Sequence, residues 1–170
     1  MIEKILFGYI SLAIIVLSVF VITRKNPVHS VVLMLVLFFH IALLYLTLNA
    51  EFLAAIQIII YAGAVLVLFL FVIFLLNLKE EVIVERFVGP WPLGLSAALA
   101  FAIMIFLTTA SLMKGQEGSI GAEVIKAETN TKVLGRVLFT QYLFPFEVLS
   151  VVLLVAIIGA IVLTKRRLKS

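Results

Sequence analysis

The sequence predicts an all-α integral membrane protein with five transmembrane helices, the N-terminus outside and the C-terminus cytoplasmic. Three observations carry the prediction. First, 65% of the 170 residues are apolar and 13% charged, where soluble domains sit near ~50% and ~25%. The same balance excludes a disordered chain, which needs few apolar residues and high charge. Second, charge only punctuates the chain. No charged residue lies between Lys4 and Arg24, Lys25 and Glu51, Glu51 and Lys79, or Arg86 and Lys114. Third, each of these runs holds about the ~20 residues that cross ~30 Å of hydrocarbon as a helix. None alternates polar and apolar residues as a membrane strand does.

The chain is therefore read as one membrane domain, residues 1–170, with helices at about 5–23, 28–48, 52–76, 92–113 and 144–164. The first run ends in Val21-Ile22-Thr23-Arg24-Lys25 without a small-residue cleavage site, so it reads as a retained helix and not a signal peptide. Asn26-Pro27 makes a tight turn into the second helix, and Asn49-Ala50-Glu51 a second short turn. Links this short force antiparallel neighbours. Glu51 opens the third helix, where the helix dipole favours an acid. The link from Asn77 to Pro92 carries Lys79, Glu80, Glu81, Glu85 and Arg86, then Trp91 as an interfacial anchor. Residues 114–141 form the one sizeable extramembrane loop. It is too short and too poor in large apolar residues to fold alone, so it is expected to lie against a neighbour or to be partly mobile. The last run, from Glu147 to Lys165, is slightly short; it reaches full length if the helix starts near Pro145 and puts Glu147 in its first turn.

Charge sets the orientation. Eight cations (Arg24, Lys25, Lys79, Arg86, Lys165, Arg166, Arg167 and Lys169) fall on one side, and five (Lys4, Lys114, Lys126, Lys132 and Arg136) on the other. The larger set lies in short flanks, which weigh most in the positive-inside rule. The net charge of +4 is scattered and forms no patch, so nucleic-acid binding is excluded. There is no cysteine, hence no disulfide, thiolate zinc site, iron–sulfur ligation or cysteine nucleophile.

Few groups could carry chemistry. No Lys, Arg, Asp or Glu stands at the middle of a span. Such residues mark ion pathways and proton relays in membranes, so this chain is not a self-sufficient pump. The absence of an internal repeat also disfavours a transporter built from inverted repeats. His40 lies within the second helix. It reads either as a neutral histidine bonded to a neighbour or as part of a relay; His29 is too far along the helix to pair with it on a haem. Glu51 reads either as a dipole-stabilised acid or as the entry to a water path. The third helix is the most unusual. Gln57 and Tyr61 stand four apart, on one face of an α-helix. Ala62-Gly63-Ala64 then strips the helix of bulk at mid-membrane. This is either a close-packing site or a weak point in the ladder where a π-bulge forms. A helix switching there between α and π would rotate its later half, moving Phe69 and Phe71.

At these residues a family resemblance enters. Glu51 to Asn77, EFLAAIQIIIYAGAVLVLFLFVIFLLN, resembles the third-helix signature of subunit J of bacterial respiratory complex I, the counterpart of mitochondrial NADH dehydrogenase subunit 6. Leu138 to Leu163, LFTQYLFPFEVLSVVLLVAIIGAIVL, resembles the last-helix signature, and Arg24 to His29 the turn into the second helix. The resemblance implies a non-redox subunit in the membrane arm of a proton-pumping NADH:quinone oxidoreductase, in the bacterial inner membrane. It implies that this chain binds no cofactor, and that FMN, iron–sulfur clusters and quinone are handled by other subunits. Its implied partners are the neighbouring membrane subunits A, H and K, whose acids supply the charged relay, together with membrane lipid. It implies a π-bulge near the tyrosine–glycine pair, here Tyr61, Ala62, Gly63 and Ala64, whose α/π change accompanies opening of a proton path. Glu51, Gln57 and His40 are the further polar-path candidates. Some relatives carry an acid where Gln57 stands. The alternative reading is a membrane subunit of a related complex, a membrane-bound hydrogenase or a multisubunit cation antiporter.

Overall fold

The computed structural model describes residues 1–76, 91–112 and 128–165. Its helices are α1 (Ile2–Thr23), α2 (Pro27–Thr47), α3 (Glu51–Leu75), α4 (Trp91–Leu112), α5 (Asn130–Thr140) and α6 (Leu143–Thr164). Five of them, all but α5, are long and apolar enough to cross a membrane, and no strand occurs among the described residues. The charged link from Asn77 to Pro90, the first half of the expected extramembrane loop (114–127) and the Trp91 side chain lie outside the described residues.

Local chemistry accounts for the helix ends. At the first turn Asn26 Oδ1 accepts a hydrogen bond from the Val28 N–H at 2.9 Å, and Pro27, which has no N–H to lose, takes the first helical position. Ser30 Oγ donates across the hairpin to the Val21 carbonyl at 2.9 Å, tying α2 to α1. The second turn is a Schellman motif. Asn49 N–H bonds to Leu46 O and Ala50 N–H to Tyr45 O, with Asn49 at φ 57°. Asparagine is one of the few side chains that tolerate that left-handed position. The last helix starts earlier than the sequence suggests, at Leu143, so Pro145 is its third residue and Glu147 lies beyond its first turn. Proline is admissible there because the first N–H groups of a helix have no partner within it.

Helix α2 is the centre. α1 packs along one side of it and α3 along another. Val31, Leu66 and Ile73 form the buried core of the α2–α3 seam, flanked by Val28, Met34, Leu35, Phe38 and Leu70. α4 touches no other described helix, and α6 touches only α5. Such exposed apolar length is costly in water but not in lipid or against other membrane helices. Hydroxyls along the spans bond back to their own helix, as Ser18 does to Ile14 O at 2.7 Å and Thr108 to Met104 O at 2.8 Å.

Within the segment expected as a loop, residues 130–140 form α5. This helix is amphipathic: Val133 is buried, Leu134, Val137 and Leu138 are half-buried, and Lys132 and Arg136 are exposed. It rests on the Glu51 end of α3 and leads through Gln141-Tyr142 into α6.

Candidate functional site

Helix α3 is three segments in one rod. Glu51–Ile56 is α-helical, Gln57–Val65 is a π-helix, and Leu66–Leu75 is α-helical again. The change is visible in the ladder. The Gln57 N–H still reaches Leu53 O, four residues back, whereas the Leu66 N–H reaches Tyr61 O, five back. A return from five-back to four-back bonding skips one carbonyl, which water or a side chain must then satisfy. π segments are rare because of such losses, and they gather at functional sites.

The π segment also sets which side chains face α2. The buried residues of α3 are Ala54, Gln57, Ala62, Leu66 and Ile73. Their spacings are 3, 5, 4 and 7, an α-helical stripe with one extra residue between Gln57 and Ala62. Regular α-helical spacing predicts Gln57 and Tyr61 on one face. In the structure the partner of Gln57 on the buried face is Ala62, because the π turn is longer than an α turn. Tyr61 is displaced to the flank, 48% exposed, with its ring edge-on to Phe38 of α2 at 6.0 Å. The small side chain of Ala62 is what lets α3 lie close to α2 there.

The remaining candidates occupy different places. Gln57, 6% exposed, is the one buried polar residue among those described. Gly63 and Ala64 are exposed. A Cβ added at Gly63 would lie 3.4 Å from the Ile58 carbonyl oxygen, an ordinary contact. An alanine therefore fits the π segment, and a branched side chain is the smallest that crowds that carbonyl. Glu51 is exposed in the first turn of α3. His40 is on the other seam of α2. Its Nδ1 is 2.8 Å from Val36 O, and its ring lies 6.4 Å from that of Tyr9 on α1. A carbonyl can only accept, so Nδ1 is the donor in this contact. Phe38, which meets Tyr61, and His40, which meets Tyr9, are about 200° apart around α2 at ~100° per residue. The structure thus brings Gln57, Tyr61 and Ala62 to the α2–α3 seam and leaves His40 off it.

Comparison with known proteins shows the family of the chain. Residues 17–163 match the model of the family NADH-ubiquinone/plastoquinone oxidoreductase chain 6. The chain is 36% identical over 172 residues to the chloroplastic NAD(P)H-quinone oxidoreductase subunit 6 of Physcomitrium patens, covering 96% of this chain and 84% of the relative. It is 36% identical over 166 residues to NADH-quinone oxidoreductase subunit J of Rhodobacter capsulatus, covering 94% and 80%. It is 33% identical over 169 residues to F(420)H(2) dehydrogenase subunit J of Methanosarcina mazei, covering 96% and 91%. A match over most of the chain, with five apolar spans to go with it, identifies this protein as a member of the NADH-ubiquinone/plastoquinone oxidoreductase chain 6 family, a membrane subunit of complex I that corresponds to subunit J.

Proposed function

We propose that this chain is the non-redox subunit that couples quinone reduction to proton translocation, and that the π segment of α3 is the moving part. The observation that carries the reading is the π-helix over Gln57–Val65 in the middle of a membrane span. If that segment becomes α-helical, the two ends of α3 turn relative to each other by about 100°, one residue's worth. The residues facing α2 then change from Leu66, Leu70 and Ile73 to Val65, Phe69 and Val72.

Two features ease such a turn. The Leu66–Leu75 half, LVLFLFVIFL, is apolar on every face, so turning it exchanges one apolar contact for another. The π state leaves a carbonyl unmatched, at ~1–3 kcal/mol for a buried group, while the α state loses the present seating of the core. Two packings that differ by a few kcal/mol make a two-state element. Tyr61, at the edge of the seam, would hold or release water as the register changes, and Gln57 would hydrogen-bond that water within it.

On this reading the proton relay itself belongs to neighbouring membrane subunits, of the A, H and K type, because no charged residue stands mid-span here. FMN, iron–sulfur clusters and quinone belong to other subunits of the complex. The Glu51 end of α3 faces outward and the Lys25 turn faces the cytoplasm, in the bacterial inner membrane. The test is Gly63→Leu in the assembled complex. Loss of proton pumping with redox cofactors intact supports the switch, and normal pumping refutes it.

A second reading has its own observation. One relative is named as a subunit of an F(420)H(2) dehydrogenase, so the same membrane subunit serves another electron donor elsewhere. Co-purification of this chain with a flavin-containing, NADH-oxidising arm decides between the two.

A further inference from the structure

We infer that α5 is a clamp: it holds the Glu51 end of α3 still, so that a register change in the π segment turns the Leu66–Leu75 half. The inference rests on the proposed register change and adds which end moves.

The grip on the two ends of α3 is unequal. The six-residue stub Glu51–Ile56 is touched by α2 and by α5, whereas Leu66–Leu75 is touched, among the described helices outside α3, by α2 alone. The grip of α5 is apolar. Its stripe of Val133, Leu134, Val137 and Leu138 is turned inward, and α3 and α6 are its described neighbours.

The clamp is braced at both ends. Before it, Thr129 stands at φ 69°, and Glu128 pairs with Arg136 at 2.7 Å across that residue. After it, the N–H groups of Gln141 and Tyr142 both close on Val137 O, at 2.9 and 3.2 Å. The Phe139 ring meets Phe146 edge-on at 5.2 Å, which fixes α5 against α6. α6 is an apolar span of 22 residues with α5 as its described contact. It acts as a post in the bilayer, and α5 is the arm that reaches from the post to α3. A twist arising between Gln57 and Val65 is therefore resisted at the Glu51 end, which α5 holds, and falls on the Leu66–Leu75 half, whose residues are all apolar.

The experiment is Val133→Thr in the assembled complex, with Val133→Ile as the conservative control. Threonine keeps the shape of valine but puts a hydroxyl into the apolar grip. The readouts are assembly, NADH oxidation, the proton-to-electron ratio, and amide hydrogen exchange over residues 51–57. The expected result for Val133→Thr is an assembled complex that oxidises NADH with a lowered proton-to-electron ratio and faster exchange at 51–57, both restored in Val133→Ile. A wild-type ratio in Val133→Thr overturns the clamp. Should Val133→Thr not assemble, Arg136→Gln, which removes the ion pair to Glu128 and leaves the apolar stripe untouched, takes its place: a lowered ratio supports the clamp and a wild-type ratio overturns it. Gly63→Leu separates the two levels. Uncoupling by Gly63→Leu beside a wild-type ratio in Val133→Thr sinks the clamp alone, and normal pumping in Gly63→Leu sinks the register change and the clamp with it.

Discussion

Deleting Ile59 removes the π segment while preserving both faces it joins. Ala54, Gln57, Ala62, Leu66 and Ile73 are the residues of α3 buried in the structure, and the step from Gln57 to Ala62 is five residues. On an α-helix five residues sweep about 500°, which puts Ala62 some 140° off the face of Gln57 at ~100° per residue. With one residue gone the step is four, about 400°, only 40° off. The spacings become 3, 4, 4 and 7, an uninterrupted α-helical stripe. Ile59 is 69% exposed, so little packing is lost with it. The ladder regains its skipped bond, which stabilises the helix by ~1–3 kcal/mol if the orphaned carbonyl is buried. The deletion variant should therefore assemble and resist heat at least as well as the parent. It should be unable to switch, because α and π forms of the shortened segment no longer share the same two seats. The assay is the proton-to-electron ratio of the assembled complex in sealed membranes, measured beside quinone-linked NADH oxidation. A variant that assembles and pumps at the parental ratio would falsify the switch. A variant that does not assemble would refute the stripe itself, since both faces are expected to survive the deletion.

Four further outcomes follow from particular residues. Gly63→Ala should pump normally, because a Cβ there meets Ile58 O at 3.4 Å, whereas Gly63→Val crowds that carbonyl. Overpacking of this kind costs roughly 1–3 kcal/mol and shifts the α-to-π ratio by ~5–150-fold, which paired pumping assays on the two variants would detect. Gln57→Leu should leave assembly unchanged or improved, since a buried amide is replaced by an apolar group of similar size, but should lower the proton-to-electron ratio; an unchanged ratio removes Gln57 from the water path. His40→Phe should leave pumping intact, because His40 faces Tyr9 on the other seam, and a large loss would mean that the path runs along α1. Single cysteines at Lys25 and Glu51, in a chain with none of its own, should label from the cytoplasmic and outer faces respectively; the reverse pattern inverts the topology.

The spans were legible because a bilayer makes them so. A charge inside hydrocarbon is costly, so the ends of α1, α2 and α3 are written in Arg24, Lys25 and Glu51. Asn26-Pro27 announces a capped helix start for the same kind of reason. Two features were not legible. α5 is short and follows a glycine-bearing polar stretch, so its charge and loop signals outweigh its pattern. The signal is nonetheless present in Val133, Leu134, Val137 and Leu138, one and four apart on a single face. The register of α3 is hidden more deeply. Ala62-Gly63-Ala64 marks a weak point in the ladder, but Gln57 and Tyr61 also fit an α-helical pair, and the apolar residues around them do not tell a four-residue step from a five-residue one. That register is seen only in the packing against α2, where Ala62 is buried and Tyr61 lies at the flank against Phe38.

The central claim is that one span of this subunit exists in two registers. Its most direct measurement is the backbone hydrogen bonding from Ile58 to Leu66 in the assembled complex, captured at high resolution at rest and during turnover. Five-back bonds, such as Leu66 N–H to Tyr61 O, are expected in one state and four-back bonds in the other, with Ala62 and Tyr61 exchanging places beside Phe38. The same bonding pattern in every captured state would contradict the claim.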